Sequence, residues 1–362
     1  MKPNGKQHVA IIGAGPSGLS AAVCLQRRNI PLTLFERGAQ LFFAWRRIDP
    51  DVCLLSPTCM TLLPGMESLP GDRAYQTFRS FTEKLEDYAR RNEIMVKTLT
   101  RVICVSQNNG AFQVAYEDGK GASHSLDFTH VVNATGLLSF PVLPVNFSSQ
   151  DCKIPWKHSL DVRENDLKSA RQLLVVGARI SAGEIIDRWM QSKAPGAHAW
   201  VSTKSRNIHI RPTMLGVNLH YVSWLPEHVP SQWFGRSLGI YQEPMISKYF
   251  SSGLRSGNIE RVPGVRCLNP ASVTLENDEE ISPDFIVFAT GYDYSLDHLK
   301  GLFDFDLAGN PRICCCESLK VKNVYLLGYR FGRTFASPYI RGIGRDAEFI
   351  AQTIATRTHN WL

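Results

Sequence analysis

Apolar positions along the chain fall into short unbroken runs that alternate with stretches of three- and four-residue spacing. That alternation predicts buried strands and helices in turn, the pattern of an α/β fold with parallel sheets. Val9 to Ile12 is wholly apolar, as a strand covered on both faces must be. Leu19 to about Arg28 holds good helix formers, with Ala21, Ala22 and Leu25 able to face a sheet. Pro31 to Phe35 reads as a second strand. Thr77 to Asn92 reads as a helix, because Phe78, Phe81, Leu85 and Tyr88 recur at helical spacing. Val102 to Ser106 and Ala111 to Tyr116 read as hairpin strands around Asn108-Asn109-Gly110, and Phe128 to Asn133 as a further strand. Leu173 to Val176, a helix to Met190, and Ala199 to Thr203 follow, then Val287-Phe288, Val324 to Leu327 and a last helix from about Gly344. The proline-broken stretches Leu54 to Thr58 and Leu62 to Met66 read as irregular connections, of the kind that line pockets or cover sheets.

The first strand runs into Gly13-Ala14-Gly15-Pro16-Ser17-Gly18, a G-x-G-x-x-G turn. Gly13 permits the tight turn, Gly15 lets bare backbone approach a pyrophosphate, and Gly18 lets the helix pack close to the sheet. Pro16 stands where a helix starts without losing a needed N–H. Glu36 ends the second strand at about the 20-residue distance expected of an acid that grips a ribose. Its charge opposes a 2′-phosphate, so this turn predicts FAD or NAD rather than NADP.

A second turn, Gly177-Ala178-Arg179-Ile180-Ser181-Ala182, follows the strand from Leu173. Each turn is followed at a similar distance by an Ala-Thr-Gly, at 134–136 and at 289–291. This internal repeat predicts two dinucleotide-type units. Residues 1–150 and 293–362 would form one domain, with residues 151–292 inserted as the other.

Composition changes little. The 362 residues are 44% hydrophobic and 20% charged, as in globular chains, with a net charge of +7 that forms no basic block. Nucleic acid is not indicated as a partner. Nine cysteines include no C-x-x-C pair, and the adjacent Cys314-Cys315-Cys316 suit neither zinc nor a dithiol centre, so no metal is expected. An odd count of thiols and no secretion signal point to the cytoplasm. No run approaches the ~20 apolar residues of a membrane span.

These residues resemble the class B flavin monooxygenase group of two-dinucleotide-binding-domain flavoproteins, over nearly the whole chain. The resemblance rests on VAIIGAGPSG, LLSPTCMTLLPGMESLPGD, VVNATGLLSFPVLP, His158-Ser159, LLVVGARISAGE, FATGYD and the terminal LLGY and RDAEFIA. It implies FAD on the first unit and NADPH on the second. It also implies oxygenation through a flavin C4a-hydroperoxide of a small substrate, at a nucleophilic nitrogen or sulfur or at a carbonyl. By that resemblance Gly13, Gly15 and Gly18 hold the FAD pyrophosphate and Glu36 the ribose. Arg37, Trp45, Val102, Thr135, Gly136 and Gly328 approach the same cofactor, and Ser56, near its ring, and His158 are the catalytic candidates, Ser56 as a hydrogen-bond partner of the hydroperoxide. Gly177, Arg179, Ser181, Ala182, Thr290 and Gly291 belong to the NADP site, with Lys204 and Arg206 placed for a 2′-phosphate.

Each assignment has a plainer counterpart. Trp45 is equally suited to core packing, Lys204 and Arg206 to solvent, and His158 to a structural rather than a catalytic role. Three departures from the family pattern stand out. Arg179 replaces the middle glycine, so it either blocks the phosphate path or binds phosphate itself. The F-x-G-x-x-x-H fingerprint survives only in His158, with Cys152 and Ile154 at the other two places. Leu55 stands where animal members carry a flavin-orienting asparagine. The expected function is an FAD-dependent, NADPH-using monooxygenase that consumes molecular oxygen. The alternatives are a flavin oxidase or dehydrogenase reduced by its own substrate, and a flavin-binding protein without turnover.

Overall fold

The computed structural model describes residues 7–67, 74–108, 110–144, 152–204, 209–214, 217–218, 221, 227, 229–230, 244–330 and 332–357. Val9–Ile12 is central to the first sheet, bonded in parallel to Leu32–Phe35 on one side and His130–Asn133 on the other. All four of its residues are buried, which is why an uninterrupted apolar run was required. Seven strands make up this sheet, and its far side is built from Val324–Leu326, parallel to His130–Asn133, and the hairpin Ile313–Cys314 with Glu317–Ser318. The chain's end thus returns to the sheet that its beginning started.

One face of this sheet is covered by the helices Pro16–Gln26, Phe78–Arg91 and Ile340–Arg357, in a core holding Leu19, Leu25, Phe81, Leu85, Ile350 and Ile354. The three-stranded antiparallel sheet Arg101–Asn108, Ala111–Glu117 and Ser123–Phe128 supplies the other face, through Val105, Phe112, Val114 and Phe128. A second sheet of five parallel strands has the order Ile259–Val262, His198–Ser202, Gln172–Val176, Phe285–Phe288, Trp156–His158. The helix Ile180–Ser192 packs on it through Ala182, Ile185, Ile186 and Trp189. One mainly parallel and one fully parallel sheet, each with helices packed on it, are the α/β fold that the pattern predicts.

Several boundaries differ from the sequence reading. Phe128 to Asn133 is two strands, because the N–H and hydroxyl of Thr129 both bond to the His8 carbonyl (2.9 and 3.0 Å) and turn the chain from one sheet into the next. The first helix begins at Pro16, ahead of Leu19, since proline loses nothing at that place. The last helix begins at Ile340. Trp156–His158 and Ile259–Val262 escaped notice because each is short and carries polar residues. Among the described residues no helix is long and apolar enough to cross a membrane.

Candidate active site

At the carboxyl end of the first sheet, Gly13 turns the chain at φ +102°, where an added Cβ would lie 2.7 Å from the Ala134 carbonyl oxygen. A Cβ at Gly18 would meet the Gly13 carbonyl at 1.9 Å, so glycine is what lets this helix start against its own turn. Gly15 differs, with nothing within 4 Å of an added Cβ. Its bare backbone faces open space beside the helix N-terminus, the arrangement that receives a phosphate. Glu36 is buried, and its carboxylate accepts from the backbone N–H of Ala14 (2.9 Å) and of Gly38 (2.8 Å).

Those residues open onto a cavity of about 700 Å³. Its wall takes in Gly13, Gly15, Glu36, Arg37, Trp45, Ser56, Val102, Thr135, Gly136 and Gly328 of the residues expected at an FAD site, whereas Gly18 lies behind it. The Arg37 guanidinium sits 5.2 Å from the Phe43 ring and 5.5 Å from that of Phe140. Trp45 packs on Phe78 and Phe81 at 5.5 and 5.4 Å and also reaches the cavity, so packing and lining are one role.

Sequence reasoning passed over other groups in this wall. His298 lines it with Nε2 2.9 Å from the Asn133 side-chain oxygen, and burial lowers its pKa to about 4. Glu184 reaches it from the helix Ile180–Ser192, and burial pushes its carboxyl up to about 7 against the opposing pull of Arg188. Arg341 reaches it from the start of the last helix. A charged residue beside Tyr339 and Ile340 was the available signal for Arg341; nothing local marked the other two.

The second turn repeats the first. Gly177 has φ +115°, an added Cβ would meet the Ala289 carbonyl at 2.3 Å, and its N–H bonds to Ser202 as that of Gly13 does to Phe35. Arg179 caps its helix at φ −114° and ψ −160°, close to the −85° and −171° of Gly15. This is extended backbone, so the side chain is carried without strain and lies exposed. Ser181 is half-buried and Ala182 fully buried. Thr290 donates to the Val142 carbonyl, and Gly291 has φ +88°.

A smaller cavity of about 360 Å³ lies at the carboxyl ends of this sheet, lined among others by Ala178, Thr203, Lys204, Phe250 and Arg261. Gly177, Arg179, Ser181 and Ala182 line neither cavity, though their neighbours Ala178 and Ile180 line the small and the large one respectively. The Lys204 ammonium is 3.4 Å from Glu276. Arg206 lies outside the described residues. Arg261, with its guanidinium 4.9 Å from the Phe250 ring, was not anticipated because its strand was not.

His158 lines neither cavity. It is buried, with Nδ1 accepting from the Leu160 N–H (3.2 Å) and Nε2 placed to donate to the Gly291 carbonyl (3.1 Å). Burial lowers its pKa, and its ring stands edge-on to Tyr292 at 5.0 Å. Both nitrogens are committed to holding the strand ends together. Two ion pairs lie nearby, Arg47 with Asp161 (3.0 and 2.7 Å) and Arg188 with Asp49 (2.6 Å).

Comparison with known proteins agrees with this geometry. Residues 10–215 match the pyridine nucleotide-disulphide oxidoreductase family. The chain is 24% identical over 353 residues to an uncharacterized CzcO-like oxidoreductase of Geobacillus kaustophilus, covering 96% of this chain and 97% of that one. It is 26% identical to the probable indole-3-pyruvate monooxygenase YUCCA4 of Arabidopsis thaliana, across 97% and 90% of the two chains. Its fold is that of a flavin-containing monooxygenase from Stenotrophomonas maltophilia (TM-score 0.75, 20% identity, 97% and 99% covered). With the family matched across more than half of its length and both glycine turns in place, the chain belongs to the pyridine nucleotide-disulphide oxidoreductases and is an enzyme, an oxidoreductase.

Proposed function

We propose that this enzyme is an FAD-dependent monooxygenase that draws reducing equivalents from NADPH and oxygenates a small substrate at a nucleophilic nitrogen or sulfur or at a carbonyl. One observation carries the reading. Two glycine turns of the same backbone geometry each close on their own Ala-Thr-Gly, and the first opens onto a cavity of dinucleotide size. The likeness to proteins named as flavin monooxygenases supports the choice of reaction.

In this reading FAD would lie along the large cavity. Gly13, Gly15 and the helix N-terminus would hold its pyrophosphate, Glu36 its ribose, and Val102 would face adenine, with Arg37, Trp45, Thr135, Gly136 and Gly328 along its length. NADPH would meet Gly177, Arg179, Ser181, Ala182, Thr290 and Gly291. Lys204 would hold its 2′-phosphate, with Arg206 at the same strand end and Arg261 added to the pair. Residues 1–150 and 293–362 would be the flavin domain, and residues 151–292 the nucleotide domain inserted in it. Bound FAD supplies hydride acceptance and, once reduced, reactivity toward molecular oxygen. The chain's own part is to bind, to orient and to exclude water.

The exposed side chain and Gly15-like backbone of Arg179 support nucleotide binding over a blocked turn, and hence a monooxygenase over an oxidase reduced by its own substrate. A disulfide reductase working through C-x-x-C has no such pair in the sequence, and Cys53 is the cysteine that lines the large cavity. The odd cysteine count of the sequence supports a cytoplasmic setting. Anaerobic mixing of the purified yellow protein with NADPH and with NADH, then air, tests the reading. Bleaching by NADPH ahead of NADH, followed by oxygen consumption, is expected; a flavin that neither nucleotide bleaches would refute it.

A further inference from the structure

The Arg341 side chain is only 8% exposed, yet it lines the large cavity together with Leu54, Leu55, Pro338, Tyr339 and Ile340. Three neighbours hold it. Glu227 accepts from Nε (2.5 Å) and from Nη2 (2.6 Å), the Tyr339 ring lies 4.3 Å beneath, and Nη1 donates to the Ser56 hydroxyl oxygen at 3.3 Å. A buried ion pair of this kind stabilises a fold no better than an apolar pair of equal volume. What it does provide is a cation that cannot swing.

Counting hydrogens shows which edge remains in use. Of the five N–H groups of the guanidinium, the pair with Glu227 takes one at Nε and one at Nη2, and Ser56 takes one at Nη1. Two N–H groups, one on Nη1 and one on Nη2, have no further partner among the described residues. Ser56 accepts from Arg341, so its own O–H is free to donate, and both residues line the cavity. The result is that the Nη1 and Ser56 donors stand side by side on the cavity wall, with the negative partner, Glu227, bonded to the Nε edge. Two adjacent oxygens bearing one negative charge fit this pair. An ammonium would meet the guanidinium as a like charge.

We propose that Arg341 and Ser56 form the substrate-orienting donor pair of the active site, and that the substrate carries a carboxylate. The proposal rests on the flavoprotein reading above and narrows it to one substrate class. In that reading the Leu55-Ser56-Pro57 loop lies beside the flavin ring. The carboxylate would therefore anchor the molecule at this pair and hold its other end, with the atom to be oxygenated, toward the ring.

The test uses the oxidised yellow holoenzyme and three methyl sulfides of matched shape: para-(methylthio)benzoate, thioanisole and para-(methylthio)benzylamine. Dissociation constants are read from the perturbation of flavin absorption, so the result does not depend on turnover. The wild type should bind the benzoate about ten- to a hundred-fold more tightly than thioanisole, as for a hydrogen bond to a charged group, with the amine weakest. Arg341→Met should abolish that preference, Arg341→Lys should retain part of it, and Ser56→Ala should reduce it several-fold. Because Arg341→Met leaves Glu227 buried without its partner, Arg341→Met with Glu227→Gln serves as the folded control. Equal binding of the three sulfides by wild type would overturn the proposal, and so would an Arg341→Met that keeps the preference. If Arg341→Met shifts the flavin midpoint potential but not the ligand order, Arg341 serves the cofactor and the proposal also falls. Flavin content is measured before any ligand is added, so a colourless protein refutes the flavoprotein reading by a separate observation.

Discussion

Arg179 is the residue at which the sequence leaves two readings open. A glycine pattern assigns that place to bare backbone, and a long cation there either blocks the phosphate path or binds phosphate itself. In the fold its φ and ψ lie close to those of Gly15, and the side chain leaves the turn for solvent. The strained member of each turn is the first glycine, where a Cβ would press on a carbonyl oxygen, and both turns keep glycine there. Arg179 is therefore free to reach a phosphate at its helix N-terminus. Arg179→Gly should leave the fold unchanged and weaken NADPH by on the order of 1.5–3 kcal/mol, the worth of a charge-assisted bond. Stopped-flow reduction across NADPH concentrations measures it. A mutant that is reduced faster at lower concentration would show the arginine to be a block. Of the residues read from sequence at the two turns, the glycines were legible because their reason is local. His298, Glu184 and Arg341 were not, since each comes to the cavity wall only once distant segments have packed together.

The strand His130–Asn133 is a case at the scale of an element. It lies between Val9–Ile12 and Val324–Leu326, buried throughout, and a histidine sits at each end of it. His130 opens the strand, with Nδ1 2.8 Å from the Thr129 hydroxyl, and His298 bonds to Asn133 at its close. Burial is the main cause that lowers both to about 4. An unfolded histidine takes its proton near 6.5, before the folded one does. Stability from these groups is therefore complete above that pH and is lost as pH falls from 6.5 toward 4, by about 2 kcal/mol per histidine at pH 5. Urea unfolding at pH 7.5 and pH 5 should show the loss, and His298→Gln should show markedly less of it. Equal losses in both proteins would remove His298 from the account. The sequence pattern placed this strand but not its start, because the turn at Thr129 depends on a bond to His8, a contact between distant segments.

Across the whole molecule, the first sheet is assembled from both ends of the chain. Val324–Leu326 and the helix Ile340–Arg357 complete a core begun by Val9–Ile12 and Pro16–Gln26. Ending the chain after Lys300 should therefore abolish flavin retention as well as folding of this half. A truncated protein that stayed yellow, measured by its FAD content, would contradict a domain built from both ends. The sequence alone determined the two glycine turns, the parallel strands feeding them, the helix at Phe78–Arg91 and the acid at Glu36. Each of those follows from short-range sterics or from periodicity, which a linear string records. Only the tertiary structure decided that Arg179 leaves its turn, that His158 holds a strand junction, and that Ser56, Arg341 and Glu227 meet at one wall. Those outcomes depend on which distant groups come within hydrogen-bond reach once the two sheets are packed, and no spacing along the chain encodes that distance.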